Sequence, residues 1–263
     1  MNKDRFLNVL RWQLTLSKRQ LLIFGLVIFA IISIPQAFGL LISRHADTAS
    51  VTSINAMVAI SAYLVMGGVS VFTHLKTRQQ RINEFMLPAS NKEKFLARYL
   101  VMVVAMTFAA MVGFLAGDLV QWLLTLAFGS AAPNSATGCL IESIKGMTFA
   151  FSGDASTYVV PMTLSLVSLH ALFLLLGSLF NKHALVLSVF SFFGLNTVIM
   201  MLIGLVTKVM FSLGEAGYVI TIYDDWCAVV ASLVNVAFII VCFRLAYRRY
   251  TRLQVINNKW INK

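Results

Sequence analysis

Six long apolar stretches constrain this chain of 263 residues more than any other feature. A helix that crosses a bilayer needs about 20 mostly apolar residues. Hydrophobic residues make up 59% of the sequence and charged residues 12%, so little is left for a soluble domain. We therefore predict an all-α membrane protein with one transmembrane domain over residues 1–263. Its spans are expected at 20–42, 54–73, 99–120, 159–180, 185–206 and 225–244.

Positive charges predict the orientation of these spans, because Lys and Arg accumulate in cytoplasmic segments of membrane proteins. With the N-terminus in the cytoplasm, eighteen of the 21 Lys and Arg residues fall on the cytoplasmic side. Both termini are then cytoplasmic. The net charge of +11 favours contact with anionic lipid over nucleic acid, since no soluble basic domain exists to carry it.

Residues 4–19 have the pattern of a basic amphipathic helix. One half of the helical wheel is apolar, with Gln13 as its polar exception, and the other half is basic and polar. Such a helix typically lies in the plane of the membrane interface. Packing of the same apolar face on a partner subunit is the alternative. The apolar half consists of Phe6, Leu7, Val9, Leu10, Leu14 and Leu16.

The third span carries a small residue at every fourth position, which predicts close approach of another helix without saying from which chain. Asp118 lies near the outer end of that span, where a solvated carboxylate is expected. The small residues are Ala105, Ala109, Gly113 and Gly117.

Three polar side chains fall near the middles of spans four, five and six: His170, Asn196 and Asn235. Polar groups at this depth are costly unless they are paired or face water. They either line a substrate path or form hydrogen bonds between helices. Before span six, residues 207–224 are apolar but interrupted by glycines, which predicts a re-entrant hairpin.

The polar segment at 76–98 contains the clearest local signals. Ser90 and Glu93 have the spacing of a capping box, so a helix is expected to begin after Ser90 and to continue into span three. A plain connection between spans needs only a few residues. The segment is therefore expected to present a fixed surface to the cytoplasm.

Upstream of the cap, Ile82, Phe85 and Met86 have the spacing of one helix face. Pro88 disfavours helical geometry at Leu87, so this short helix is expected to end there. The sequence thus predicts a short amphipathic helix, a proline corner and a capped helix that enters the bilayer.

The six-span layout and the stretch EFMLPASNKEKFLAR resemble the permeases of bacterial type-2 ATP-binding-cassette (ABC) exporters. The resemblance implies an inner-membrane permease that pairs with a second permease chain, and a separate ATPase subunit that carries ATP and Mg²⁺. It also implies that residues 76–88 are a coupling helix that docks on the ATPase, with Arg81 and Glu84 as charges at the rim. The docking residues would be Arg78, Arg81, Ile82, Glu84, Phe85, Met86, Leu87 and Pro88.

No catalytic residue or metal site is predicted from the sequence. It contains no Gly-Lys pair, so a phosphate-binding Walker A loop cannot form, and the motor would be another polypeptide. The three cysteines lack metal-ligand spacing, and the four histidines are scattered. Two other classes stay open, a membrane accessory or sensor subunit that does not transport, and an intramembrane hydrolase.

Overall fold

A computed structural model describes residues 3–43, 48–128, 135–138, 141–142, 156–212 and 225–253. The described residues form an all-helical protein, as the sequence predicts. The main helices are α1 (Lys3–Ser43), α2 (Thr48–Ser70), α3 (Arg78–Met86), α4 (Asn91–Leu100), α5 (Met106–Phe128), α6 (Ser156–Leu179), α7 (Ala184–Ser212) and α8 (Asp225–Thr251).

Six helical stretches are long and apolar enough to cross a membrane, which makes the chain a multi-pass membrane protein. Each contains most of one span predicted from the sequence, so that prediction is confirmed. The stretches are Lys3–Gly39, Ile54–Leu75, Asn91–Leu124, Val160–Leu179, Ala184–Leu202 and Ala228–Thr251.

The chain divides into two compact units, one of residues 1–67 and 83–150 and the other of residues 68–82 and 151–263. In the first unit α1 packs along α5. The predicted ridge of small residues forms this contact, and a Cβ placed on Gly113 would collide with the backbone of Gly25. Only glycine permits the two backbones to approach so closely. The ridge therefore serves a contact within one chain.

The N-terminal amphipathic stretch is not a separate element. It belongs to α1, which continues without interruption from Lys3 to Ser43, so the amphipathic stretch and span one share one helix. Its position in the plane of the interface stays a prediction. Two polar side chains of this stretch pack against the rest of the protein. Gln13 and Ser17 are buried, while Leu7 and Leu14 are half exposed. Gln13, the one polar residue in the apolar half of the helical wheel, is thus buried against the rest of the protein.

A π-helical segment, Val101–Ala105, joins α4 to α5, so that one continuous helical path runs from Asn91 to Phe128. Nothing in the local pattern predicts it, because the apolar run VMVVA suits an α-helix equally well. π segments inside α-helices are rare and often occur at functional sites. This one lies against α1.

Asp118, expected to be solvated, is buried. Its carboxylate accepts hydrogen bonds from the hydroxyl of Ser135, from the backbone N–H groups of Ala136 and Thr137, and from the Thr137 hydroxyl. Four donors replace the water that the carboxylate would otherwise hold, which makes its burial tolerable. Asp118 is therefore a structural anchor for the 135–138 turn.

In the second unit α6 packs on α8 and on α7. The C-terminal end of α2 also packs closely on α6, since a Cβ on Gly68 would lie 2.8 Å from the carbonyl oxygen of His170. The predicted hairpin at 207–224 begins differently from the expectation. Residues 207–212 continue α7 as a regular helix, and the remainder of the hairpin lies outside the described residues.

Candidate functional site: the segment between spans two and three

The short helix α3 is bounded by local signals on both sides. At its start, the Thr77 hydroxyl accepts from the Gln80 N–H at 3.3 Å, and the Gln80 side-chain oxygen accepts from the Thr77 N–H at 3.1 Å. This reciprocal pair is a capping box that was not among the sequence predictions, although the Thr-x-x-Gln spacing signals it. At its end, α3 terminates at Met86, two residues before Pro88, as predicted.

The cap predicted at the start of α4 is confirmed. The Glu93 N–H donates to the Ser90 hydroxyl at 3.3 Å, and the Ser90 N–H donates to the Glu93 carboxylate at 3.0 Å. Ser90 has the extended backbone of an N-cap residue. Two capped helices therefore flank the proline corner, and each cap stabilises its helix by about 1 kcal/mol.

Glu84 lies at the centre of a buried polar group in the first unit, here called the Glu84 cluster: Gln13, Glu84, Lys94 and Arg98. The Glu84 carboxylate accepts from the Arg98 guanidinium at 2.6 Å and from the Gln13 amide at 3.2 Å. The Lys94 ammonium donates to the Glu84 backbone carbonyl at 2.8 Å. One residue of α3 is thereby tied to both α1 and α4.

The effect of this cluster on stability depends on its burial. All four side chains are buried, with Arg98 at 1% and Glu84 at 3% exposure. A buried ion pair gives little net stability over apolar residues of the same size, but the loss of one partner costs about 3–5 kcal/mol. Lys94 also places a cation at the C-terminal end of α3, where the helix dipole favours positive charge. The cluster fixes the angle between α3 and α4.

Arg81 is held in the second unit by neutral oxygens, in what we call the Arg81 cluster: Leu75, Arg81 and Asn181. Its Nε donates to the Leu75 carbonyl at 2.7 Å, and its Nη2 donates to the Asn181 side-chain oxygen at 2.8 Å. Desolvation lowers the pKa of the Arg81 guanidinium, which nevertheless stays protonated at neutral pH. Arg81 thus ties α3 to the end of span two and to the loop between α6 and α7.

These contacts correct one expectation. Arg81 and Glu84 were predicted to be rim charges on an exposed docking face, but both are buried, Arg81 at 2% exposure. A helix of period 3.6 brings residues three apart to the same side, and here that side faces the protein interior. The other residues of α3 are exposed, except Gln80 and Ile82, which are half-buried.

Phe85 and Met86 form an exposed apolar tip at the C-terminal end of α3. Phe85 is 45% exposed and Met86 79% exposed, directly beside the buried Glu84. Arg78 and Pro88 are also exposed, while Ile82 and Leu87 are half-buried. Six of the eight predicted docking residues therefore keep accessible surface, and the exposed apolar residues Phe85 and Met86 are adjacent.

The predicted path residues have separate surroundings in the second unit. His170 is buried in α6. The Asn196 amide donates to the Phe192 carbonyl of α7, and the Asn235 amide donates to the Ala231 carbonyl of α8. Both asparagines thus bond within their own helices. Their roles in a substrate path, or in hydrogen bonds between helices, stay predictions.

Groups of three or more His, Cys, Asp or Glu side chains that could bind a metal are absent from the described part of the chain. Compared with protein-family models, with curated proteins and with solved structures, the chain has no match. The geometry of the segment between spans two and three is therefore the main physical guide to function.

Proposed function

We propose that this chain is the permease subunit of a bacterial ABC exporter. Two permease chains, identical or different, would pair with two copies of a separate ATPase subunit that binds ATP and Mg²⁺. The cargo would be an amphipathic molecule such as a lipid, a peptide or a glycan. The proposal places the protein in the inner membrane with both termini in the cytoplasm.

The observation that carries this proposal is the exposed tip of Phe85 and Met86 on a braced helix. Exposed apolar side chains are ordinary on membrane spans, which lipid covers, but α3 lies in a polar segment between two spans. There an adjacent aromatic and aliphatic pair is the kind of anchor that carries most of the energy of a protein interface. A cytoplasmic subunit with an apolar groove is the partner that fits.

The bracing explains how docking could drive transport. A displacement of α3 reaches α4 through the Glu84 cluster, and α4 continues through the π segment into α5. Within the second unit the same helix is tied to Asn181 through Arg81. A push on the Phe85–Met86 tip would therefore reach α4 and α5 through the buried contacts of the Glu84 cluster.

Replacement of Phe85 by Asp tests the docking role. In a docked interface the new carboxylate is buried without a partner, which costs about 3–5 kcal/mol. We expect Phe85→Asp to abolish co-purification of an ATPase that carries a Walker A motif, identified by mass spectrometry. The variant should insert and keep its unfolding midpoint, because Phe85 is already half exposed.

Asn91→Asp is the matched control. It adds the same carboxylate six residues away on an exposed turn, at the start of α4 where the helix dipole favours an anion. The ATPase should remain bound to this variant. If Phe85→Asp keeps the ATPase, or if it unfolds the permease, α3 is an internal strut and the docking proposal is wrong.

The orientation is tested by single-cysteine labelling in a background without Cys139, Cys227 and Cys242. Asn91→Cys should react with a membrane-impermeant maleimide only after the cells are opened. Gly138→Cys, in the turn held by Asp118, should react from outside in intact cells. Labelling of both positions from the same side contradicts the proposed topology.

A further inference from the structure

The first unit contains an apolar cavity of about 280 Å³ that the proposed docking and transport do not use. It lies between α1, α2 and α5, and its wall is almost entirely apolar. The small side chains of Ala56 and Ala59 on α2 and of Ala110 on α5 line it, together with the buried Ile28 of α1. Ile60 and Met111 stand at its rim and are exposed.

The two hydroxyl groups among the residues that line the cavity are turned to each other. Thr107 donates its proton to the Val103 carbonyl at 2.7 Å, and the Tyr63 hydroxyl lies 2.8 Å from the Thr107 oxygen. The Tyr63 hydroxyl also lies 3.5 Å from the Val103 carbonyl oxygen, so both hydroxyl protons have an acceptor whichever hydroxyl donates to the other. Neither is left to bind a polar ligand. A water molecule needs two to four polar partners, so water is a poor occupant as well.

The position of the cavity identifies an occupant. Its wall follows α5 from Thr107 to Phe114, a length of about 10 Å at 1.5 Å per residue. These residues fall in the middle of the membrane-crossing stretch Asn91–Leu124. A hydrocarbon core about 30 Å thick gives each leaflet about 15 Å of acyl chain. The rim is exposed at that depth, where the surrounding medium is lipid.

We propose that this cavity binds the distal part of one acyl chain of a bilayer phospholipid. The chain would pass between Ile60 and Met111 and rest against Ala59 and Ile28. Packing in protein interiors leaves few spaces of this size, and an apolar lining gains dispersion contacts when such a space is filled. The lipid serves as a packing component between α2 and the α1–α5 pair. This proposal is independent of the ABC exporter proposal.

The test is lipid retention by the purified full-length protein. Protein in detergent is delipidated and then incubated with phosphatidylglycerol that carries a diazirine near the end of one acyl chain. After illumination, mass spectrometry should find saturable labels on Ile60, Met111 or Phe114. Ala59→Leu fills the cavity and should reduce this labelling about tenfold, the scale on which overpacking of a filled site acts.

Val112→Leu is the control, since Val112 is exposed on α5 beside Met111 but outside the cavity wall. It should leave labelling of the cavity unchanged. A second measurement uses only the wild type and therefore tests the proposal even if Ala59→Leu does not fold. Dioleoylphosphatidylglycerol should raise the unfolding temperature of the wild type, whereas dihexanoylphosphatidylglycerol, which has the same headgroup and short chains, should not.

Equal labelling of Ala59→Leu and the wild type overturns the proposal, and so does an equal thermal shift with the short-chain lipid. Disulfide-linked dimers of Ile60→Cys in membranes also overturn it, because a second copy of the chain would then cover the rim.

Discussion

The N-terminal part of α1 and the short helix α3 each bury a polar side chain and expose an apolar neighbour. In α1, Gln13 is buried while Leu14 is half exposed; in α3, Glu84 is buried while Met86 is almost fully exposed. The two helices differ in how they end. The α1 stretch continues directly into a membrane span, whereas α3 stops at a proline corner. Exposed leucines on α1 are therefore compatible with lipid contact, while the tip of α3 is where the proposed ATPase subunit would dock.

The largest effect is expected from the buried side of α3. Glu84→Gln removes the charge that faces Arg98 and leaves a buried cation without its ion-pair partner, at a cost of about 3–5 kcal/mol. Equilibrium unfolding in mixed micelles measures this loss. The double variant Glu84→Met/Arg98→Met should recover most of it. A single variant as stable as the wild type would show that the pair is not buried.

Arg81→Met should have a smaller effect on the other anchor of α3. The change keeps most of the side-chain volume but removes the donors to Leu75 and Asn181, and we expect a loss of about 1–3 kcal/mol. The same unfolding measurement applies. If Arg81→Met loses more stability than Glu84→Gln, the Arg81 cluster contributes more to stability than the Glu84 cluster.

Ser90→Ala tests the corner between α3 and α4. Loss of the cap should cost about 1 kcal/mol. Ser90→Thr, which keeps the hydroxyl group, is the control and should be close to the wild type. If both variants lose the same stability, side-chain capping is not the reason that Ser90 matters.

The smallest stability change, and the sharpest contrast, is expected from Leu14→Gln and Met86→Gln. Both side chains are accessible, so each variant should unfold within about 0.5 kcal/mol of the wild type. Only Met86→Gln should weaken retention of the ATPase. Equal weakening by both variants would remove the distinction between a lipid-facing and a partner-facing helix.

The sequence predicts features whose causes are local. Six apolar runs identify the spans, Ser90 and Glu93 lie three residues apart, and Pro88 ends α3 by its own sterics. The small residues of span three also predict a close helix contact, which the structure assigns to α1.

Burial of the α3 charges could not be predicted in the same way, because their partners are distant in the chain. Gln13 is 71 residues from Glu84, and Asn181 is 100 residues from Arg81. A charged residue in a polar loop is normally solvated, and only tertiary contacts reverse that expectation. The sequence contained one indication of a shared contact, because Lys94 and Arg98 are one turn apart and lie on the same face of α4.

The π segment has a geometric consequence for α4 and α5. Lys94, Arg98, Gly113 and Gly117 are all buried, although an α-helix of 3.6 residues per turn carries positions four apart steadily around its axis. The wider π turn accommodates an additional residue and returns the later positions to the same azimuth. Deletion of the additional residue from Val101–Ala105 would therefore give an ordinary α-helix and keep the glycine ridge in phase with Arg98. Conversion of the π turn into an α turn without a deletion would instead rotate the ridge by about 100° relative to Arg98. The π segment therefore determines whether Arg98, with its ion-pair partner Glu84, and the glycine ridge of α5 can face α1 together.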